Sequence, residues 1–212
     1  MRVLVACEES QTVCKAFRER GHEAYSCDIQ ACSGGHPEWH IMHDAVDVAY
    51  SGCWDLMIAH PPCTVLTNAG IGYFNESVYG DKAIKRKHDR ERAAEFFMKL
   101  MNAPIPKICL ENPVGWMNTA YRKPNQTIHP WFFGDPHMKR TCLWLRGLPR
   151  LNGSIYAEPP KPLSIQVRRP GKHYRGGEVK NRYFVDVQSS TSTKERSKTF
   201  SGIARAMAEQ WG

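Results

Sequence analysis

No hydrophobic run in this chain approaches the roughly 20 residues that a membrane span requires. The first residues, MRVLVACEES, lack the charged-then-apolar leader and cleavage site of a secretory signal. The eight cysteines have no regular spacing, and several sit inside apolar, strand-like runs, which argues against a disulfide framework. These absences exclude a membrane-spanning or disulfide-stapled protein and point to the cytoplasm. No internal repeat and no heptad pattern is found. Closely spaced pairs of metal ligands are missing too. Cys27, Cys32, His36, His40, His43 and Cys53 cluster in sequence, but Cys32, His36 and His40 do not form the paired spacing of a zinc site, so no metal is expected.

Acidic residues are outnumbered. Asp and Glu total 21 against 29 Lys and Arg, a formal net charge of +8, and such a balance suits a polyanionic partner. The excess is local. Lys161–Arg205 holds eleven Lys and Arg against three Asp and Glu, and Lys82–Arg92 holds six against two. Concentration in two places favours a partner surface over diffuse solubility.

The first half alternates strand and helix. Arg2–Ala6 reads as a buried strand, and Ser10 as the cap of a helix that runs to Arg20 and stops at Gly21. Glu23–Cys27 is a second strand ending at Asp28, His40–His43 a weak third ending at Asp44, and Asp55–Ala59 a strong fourth stopped by Pro61-Pro62. A polar stretch from Thr64 to Asp81 precedes a helix over about Ala83–Met101, whose apolar face is Ala93, Phe96, Phe97, Leu100 and Met101. Lys107–Leu110 and Thr141–Leu145 are further strands. The alternation predicts an α/β fold with a doubly wound, mostly parallel sheet.

Three segments are expected: a core over 1–148, a basic, loop-rich segment over 149–198 with a strand pair near Arg182–Val187, and a C-terminal helix within 199–212 packing back on the core. Along that helix Ile203, Met207 and Trp211 recur at i, i+4 and i+8. Trp131, Phe132 and Phe133 read as a packed loop.

Open parallel sheets bind ligands beyond the carboxyl ends of their strands. The polar residues there are Glu8 and Glu9 after the first strand, Asp28 after the second, Asp44 after the third, His60-Pro61-Pro62-Cys63 after the fourth, and Glu111-Asn112-Pro113 after the fifth. An acid after the second strand suits ribose hydroxyls, and one after the third an adenine amino group. A cysteine on a proline-stiffened turn just past a strand is held outward as a nucleophilic thiol must be, with neighbouring cations expected to lower its pKa. Cys7, Cys14, Cys27, Cys109 and Cys142 read instead as small buried hydrophobes.

The segments HPPCT (His60–Thr64) and CLENP (Cys109–Pro113) resemble the Pro-Cys and Glu-Asn motifs of DNA cytosine-C5 methyltransferases, and among them the small, phage-borne members. Val3–Phe17 stands where that family has its cofactor loop, Met138–Gly147 where it has an Arg-bearing strand, and Thr199–Trp211 where it has a closing helix. The order along the chain is the same. The resemblance implies a Rossmann-like methyltransferase fold, S-adenosyl-L-methionine as cofactor, and DNA, double- or single-stranded, as partner. It implies Cys63 as nucleophile, Glu111 as the carboxyl group on cytosine N3 with its pKa held upward by partial burial, and Arg140 as a catalytic cation. Glu8, Glu9, Asp28, Asp44 and Pro61 fall to the cofactor, and Lys139, Arg168, Arg169, Lys172 and Arg175 to the nucleic acid. The loop Ala6–Ser10 lacks the family's glycines, the Arg strand keeps only part of the basic pattern, and about fifty residues stand where a recognition domain would be. Loose sequence specificity, or a partner that supplies it, is therefore expected, and a homodimer stays open.

Two other readings stand beside this one. Amino-methyltransferases acting on adenine N6 or cytosine N4 also carry a Pro-Pro turn here, but follow it with an aromatic that stacks on the flipped base, where this chain has Cys63. The glycine-poor loop also permits a non-catalytic DNA-binding protein on a degenerate methyltransferase scaffold.

Overall fold

The computed structural model describes residues 1–137, 139–153 and 199–212. In chain order the strands are β1 (Arg2–Ala6), β2 (Glu23–Asp28), β3 (His40–Met42), β4 (Leu56–Ala59), β5 (Lys107–Pro113), β6 (Gln126–Ile128) and β7 (Thr141–Arg146). The helices are α1 (Thr12–Glu19), α2 (Ala45–Ser51), α3 (Glu76–Tyr79), α4 (Asp81–Met101), α5 (Met117–Ala120) and α6 (Ser201–Trp211). One sheet runs in the order β3-β2-β1-β4-β5-β7-β6. β1 to β5 pair parallel, and β7 lies antiparallel between β5 and β6. The α/β, doubly wound, mostly parallel sheet expected from the sequence is the fold observed.

Period-two alternation sends each strand's side chains into two cores. Val3, Val5, Leu56, Ile58, Cys109, Leu143 and Leu145 face one core, with Phe17 of α1 and Ile203, Met207 and Trp211 of α6. Leu4, Ala6, Met57, Ala59, Ile108, Leu110 and Trp144 face the other, with Val48 of α2 and Phe97 and Leu100 of α4. Phe97 meets Trp144 edge-on, with ring centroids 5.2 Å apart. Burial on both faces is why the central strands read as continuous apolar runs. Cys14, Cys27, Cys109 and Cys142 are buried, and Cys7 is half-buried. Phe133 is buried in the loop after β6.

The structure departs from the sequence expectation at four places. Ser10 does not cap α1: its hydroxyl meets Thr12 Oγ1, and Gln11 precedes the helix with no side-chain cap. Asp44 opens a helix, α2, that was not foreseen, and its Oδ1 accepts from Val46 N and Asp47 N. The polar stretch after Cys63 contains a 3₁₀ turn, Asn68–Phe74, and the short α3. β6 was also unforeseen. The expected strand pair near Arg182–Val187 and the residues Arg168, Arg169, Lys172 and Arg175 lie outside the described residues.

Among the described residues no helix is long and apolar enough to cross a membrane, and no three His, Cys, Asp or Glu side chains converge as a metal set.

Candidate active site

The parallel register brings the strand-end residues to one edge of the sheet. Ala59 pairs with Leu110, so His60 and Glu111 emerge side by side. His60 Nδ1 lies 3.3 Å from Glu111 Oε2, with only 12% and 16% of the two side chains exposed. On its other side His60 shares an electrostatic field with Glu8, at the end of β1. His60 Nε2 is buried and accepts or donates no hydrogen bond among the described residues. Asn112 Nδ2 donates to Pro61 O at 2.8 Å, fixing the proline turn to β5.

The turn bearing Cys63 is sewn to the loop after Glu111. Cys63 O accepts from Leu66 N and Thr67 N, Asn68 N donates to Val114 O, and Trp116 N donates to Leu66 O at 2.7 Å. Thr67 and Gly115 form an antiparallel bridge. Only glycine fits at 115, because a Cβ there would stand 1.9 Å from Leu66 O. Gly115→Ala should therefore cost about 2 kcal/mol through overpacking, lowering the unfolding midpoint by roughly 4–8 °C. Gly72→Ala, where a Cβ meets open space, should leave the midpoint in place. Scanning calorimetry of both variants checks this, and equal midpoints would mean that the bridge does not constrain the turn.

Cys63 is half-buried, and its thiol is pushed up by burial and by the charge of Glu111, against a lowering by Lys139. The expected lowering by neighbouring cations is thus outweighed. For Glu111 the correction has the opposite sign. Burial pushes its carboxyl up, but the His60 hydrogen bond and the charges of Lys139 and His60 outweigh burial and hold it below its ordinary value. Lys139 is the cation whose field reaches both residues, whereas Arg140 is exposed and bears on His129. The sequence resemblance gives Lys139 to the nucleic acid and does not bring His60 to Glu111. The sequence signal for His60 was its position at a strand end, three residues before Cys63.

The electrostatics give a test of His60. A carboxyl with a depressed pKa supplies stability above its ordinary value of 4.5, and loses it as pH falls through the folded value. His60→Ala removes the hydrogen bond, so the Glu111 pKa moves up and acidification from about pH 5 to pH 3 costs less stability. Urea unfolding at the two pH values should show this change in His60→Ala relative to wild type. With Glu111→Gln already in place, adding His60→Ala should leave the pH slope unchanged. The same pH slope in wild type and His60→Ala would mean that His60 does not set the Glu111 charge.

The remaining strand-end acids differ among themselves. Glu8 is buried, with Oε1 accepting from Val13 N at 2.7 Å and Oε2 from Cys14 N at 3.2 Å. Both oxygens thus satisfy the open N-terminus of α1, the work a capping side chain does. Burial still raises its pKa. Glu9 is half-buried on the same loop, and its carbonyl accepts from Ser33 N. Asp28 Oδ1 accepts from Gln30 N, and Asp44 Oδ1 caps α2, while Oδ2 of each accepts no hydrogen bond among the described residues. The loop from Ala6 turns without glycine. Cys7 and Gln11 themselves take left-handed φ values of 59° and 60°, conformations that cost energy and concentrate at functional sites. Gly34 lets a second loop close on it, since a Cβ there would lie 2.5 Å from Gln11 Cβ.

No protein-family profile and no curated protein matches the chain. Solved structures do. One is a protein assigned as a DNA modification methyltransferase encoded within an E. coli prophage, at 12% identity and a TM-score of 0.42, covering 68% of this chain and 46% of that one. Another is an rRNA methylase from Escherichia coli, at 14% identity and a TM-score of 0.38, covering 68% and 55%. The chain spans about half the length of these two proteins, and the likeness concerns the fold alone.

Proposed function

We propose that the chain is an S-adenosylmethionine-dependent DNA methyltransferase that modifies cytosine at C5 through Cys63. The observation that carries this reading is the strand register that sets His60 beside Glu111, with the Cys63 turn sewn to the loop after Glu111. One thiol and one carboxyl group are thus held in a common field with Lys139.

The donor set fits the cofactor. Asp28 and Asp44 each keep one carboxylate oxygen for a hydroxyl or amino group, at the ends of β2 and β3. Glu9 and Pro61 follow β1 and β4, the strands between β2 and β5 in the sheet, and Glu8 shapes the loop by holding the start of α1. When bound, S-adenosylmethionine supplies an electrophilic methyl group.

The chain's own residues supply the rest. Glu111 holds cytosine at N3 and the exocyclic amine, drawing electron density out of the ring. The Cys63 thiol passes its proton by way of the Glu111 carboxylate to cytosine N3 as its sulfur adds to C6, which makes C5 nucleophilic. After C5 is methylated, the C5 proton is lost to solvent and the sulfur leaves C6, regaining its proton from N3 by way of Glu111, which restores the aromatic base. Lys139 stabilises negative charge at the site, and the target base leaves the stack to reach it. Arg140 and the basic residues Arg168, Arg169, Lys172 and Arg175 are the proposed backbone contacts. Purified protein given labelled cofactor and DNA should transfer label to DNA, and nucleoside mass spectrometry should find it in 5-methylcytosine.

One observation favours a second reading. Nε2 of His60, directly before the Pro-Pro turn and with no hydrogen-bond partner among the described residues, is a candidate acceptor for an exocyclic amino proton. The label would then appear in N4-methylcytosine or N6-methyladenine.

A further inference from the structure

The outer wall of the Cys63 turn carries an arrangement that the chemistry above does not use. The Arg90 guanidinium lies between two aromatic rings, 4.2 Å from the Phe74 centroid and 3.8 Å from the Trp116 centroid. Arg86 lies over Tyr73 and Phe74, at 5.5 and 5.2 Å, and donates from Nη2 to Thr64 O at 2.9 Å. That bond places the cation one residue from Cys63. Two of the rings are exposed, Tyr73 by 54% and Trp116 by 41%, with Tyr79 against Tyr73 at 5.3 Å between centroids.

Charge on this face is unevenly compensated. Lys85 and Arg92 pair with Asp89, and Lys87 pairs with Glu76. Among the described residues Lys82, Arg86 and Arg90 meet no carboxylate within 4.0 Å, and Arg86 Nε is buried without a hydrogen-bond partner. Three uncompensated cations interleaved with open rings match an anionic chain that also offers flat aromatic faces. A single nucleic-acid strand is such a chain, whereas a duplex hides its base faces in the stack.

We infer that Tyr73, Phe74 and Trp116, with Lys82, Arg86 and Arg90, form a docking face for a single nucleic-acid strand. Bases stack on Tyr73 and Trp116, phosphates meet the three cations, and the strand leads directly to the Cys63 turn. The inference rests on the nucleic-acid part of the proposed function and is independent of the methyl chemistry. It also names the preferred substrate: unpaired DNA, or a duplex locally opened.

The test uses full-length protein carrying Cys63→Ser, without cofactor, so that binding is read apart from catalysis. Fluorescence anisotropy compares a labelled oligothymidylate with a duplex of equal length over a salt series. Tyr73→Ala and Trp116→Ala should each weaken single-strand binding by about ten-fold or more, while changing duplex binding by less than about two-fold. Tyr73→Phe, which keeps the ring, should retain affinity. Lys82→Ala should make the single-strand log–log salt slope shallower by roughly 0.7. Tyr73 is exposed, so its Ala variant leaves the core intact, and an unchanged unfolding midpoint verifies this. Unchanged single-strand affinity in both ring variants would overturn the inference, as would equal losses on the duplex. So would a self-association in sedimentation that Trp116→Ala dissolves, because the face would then serve a second copy of the chain. Single-strand binding as expected, with no methyl transfer by the unsubstituted protein, would sink the methyltransferase reading and leave this one standing.

Discussion

Cys63→Ser should abolish methyl transfer while leaving S-adenosylmethionine binding within a few-fold. A serine hydroxyl at this position is a far weaker nucleophile than a thiol, and the cysteines buried in the sheet offer no substitute. Cys14 and Cys27 lie in the cores with their thiols pushed up by burial to about 12 and about 11, and burial raises Cys109 as well. Cys7, beside the strand ends, is likewise pushed up by burial and by Asp28, Cys27 and Asp44. Cys109→Ser should act through stability alone, since that side chain belongs to the core. Product formation by purified variants, with cofactor binding measured by calorimetry, checks both expectations. Full activity in the serine variant would move the chemistry to His60 and favour transfer to an exocyclic amine.

Glu111→Gln should move two readouts in opposite directions. Turnover should fall by roughly two orders of magnitude or more, because the amide can hydrogen-bond to the base but cannot manage a proton at N3. The Cys63 thiol should become more reactive, because the charge of Glu111 is one of the two causes that raise its pKa. Lys139, whose field lowers that pKa, remains in place. Iodoacetamide labelling of Cys63, located by peptide mass spectrometry, should therefore be faster in Glu111→Gln than in wild type at the same pH. A merely structural Glu111 would give slower turnover with no gain in labelling rate.

The sequence carried the strands and the residues at their ends, because β1, β4 and β5 are buried on both faces and read as unbroken apolar runs. α2 escaped notice because AVDVAYS is only seven residues long, and its capping acid, Asp44, was read as a ligand. β6 is three residues, QTI, too short for any alternation to register. The antiparallel direction of β7 has no signature in its residues, since alternation does not encode chain direction. The His60–Glu111 contact depends on strand register, which only the folded sheet sets. That contact also explains the reversed pKa of Glu111: burial was foreseen, but not the histidine and lysine that outweigh it.

The central claim, addition of Cys63 to cytosine C6 followed by methylation of C5, is tested most directly by covalent trapping. Protein is incubated with S-adenosylmethionine and oligonucleotides, single-stranded and duplex, in which cytosines are replaced by 5-fluorocytosine. Fluorine cannot leave C5 as a proton does, so the intermediate should accumulate. Intact mass should show protein plus oligonucleotide with one methyl group in place of a proton, and peptide mapping should place the bond at Cys63. An adduct at another cysteine, or no adduct from protein that methylates ordinary cytosine or adenine at an exocyclic amine, would contradict the account.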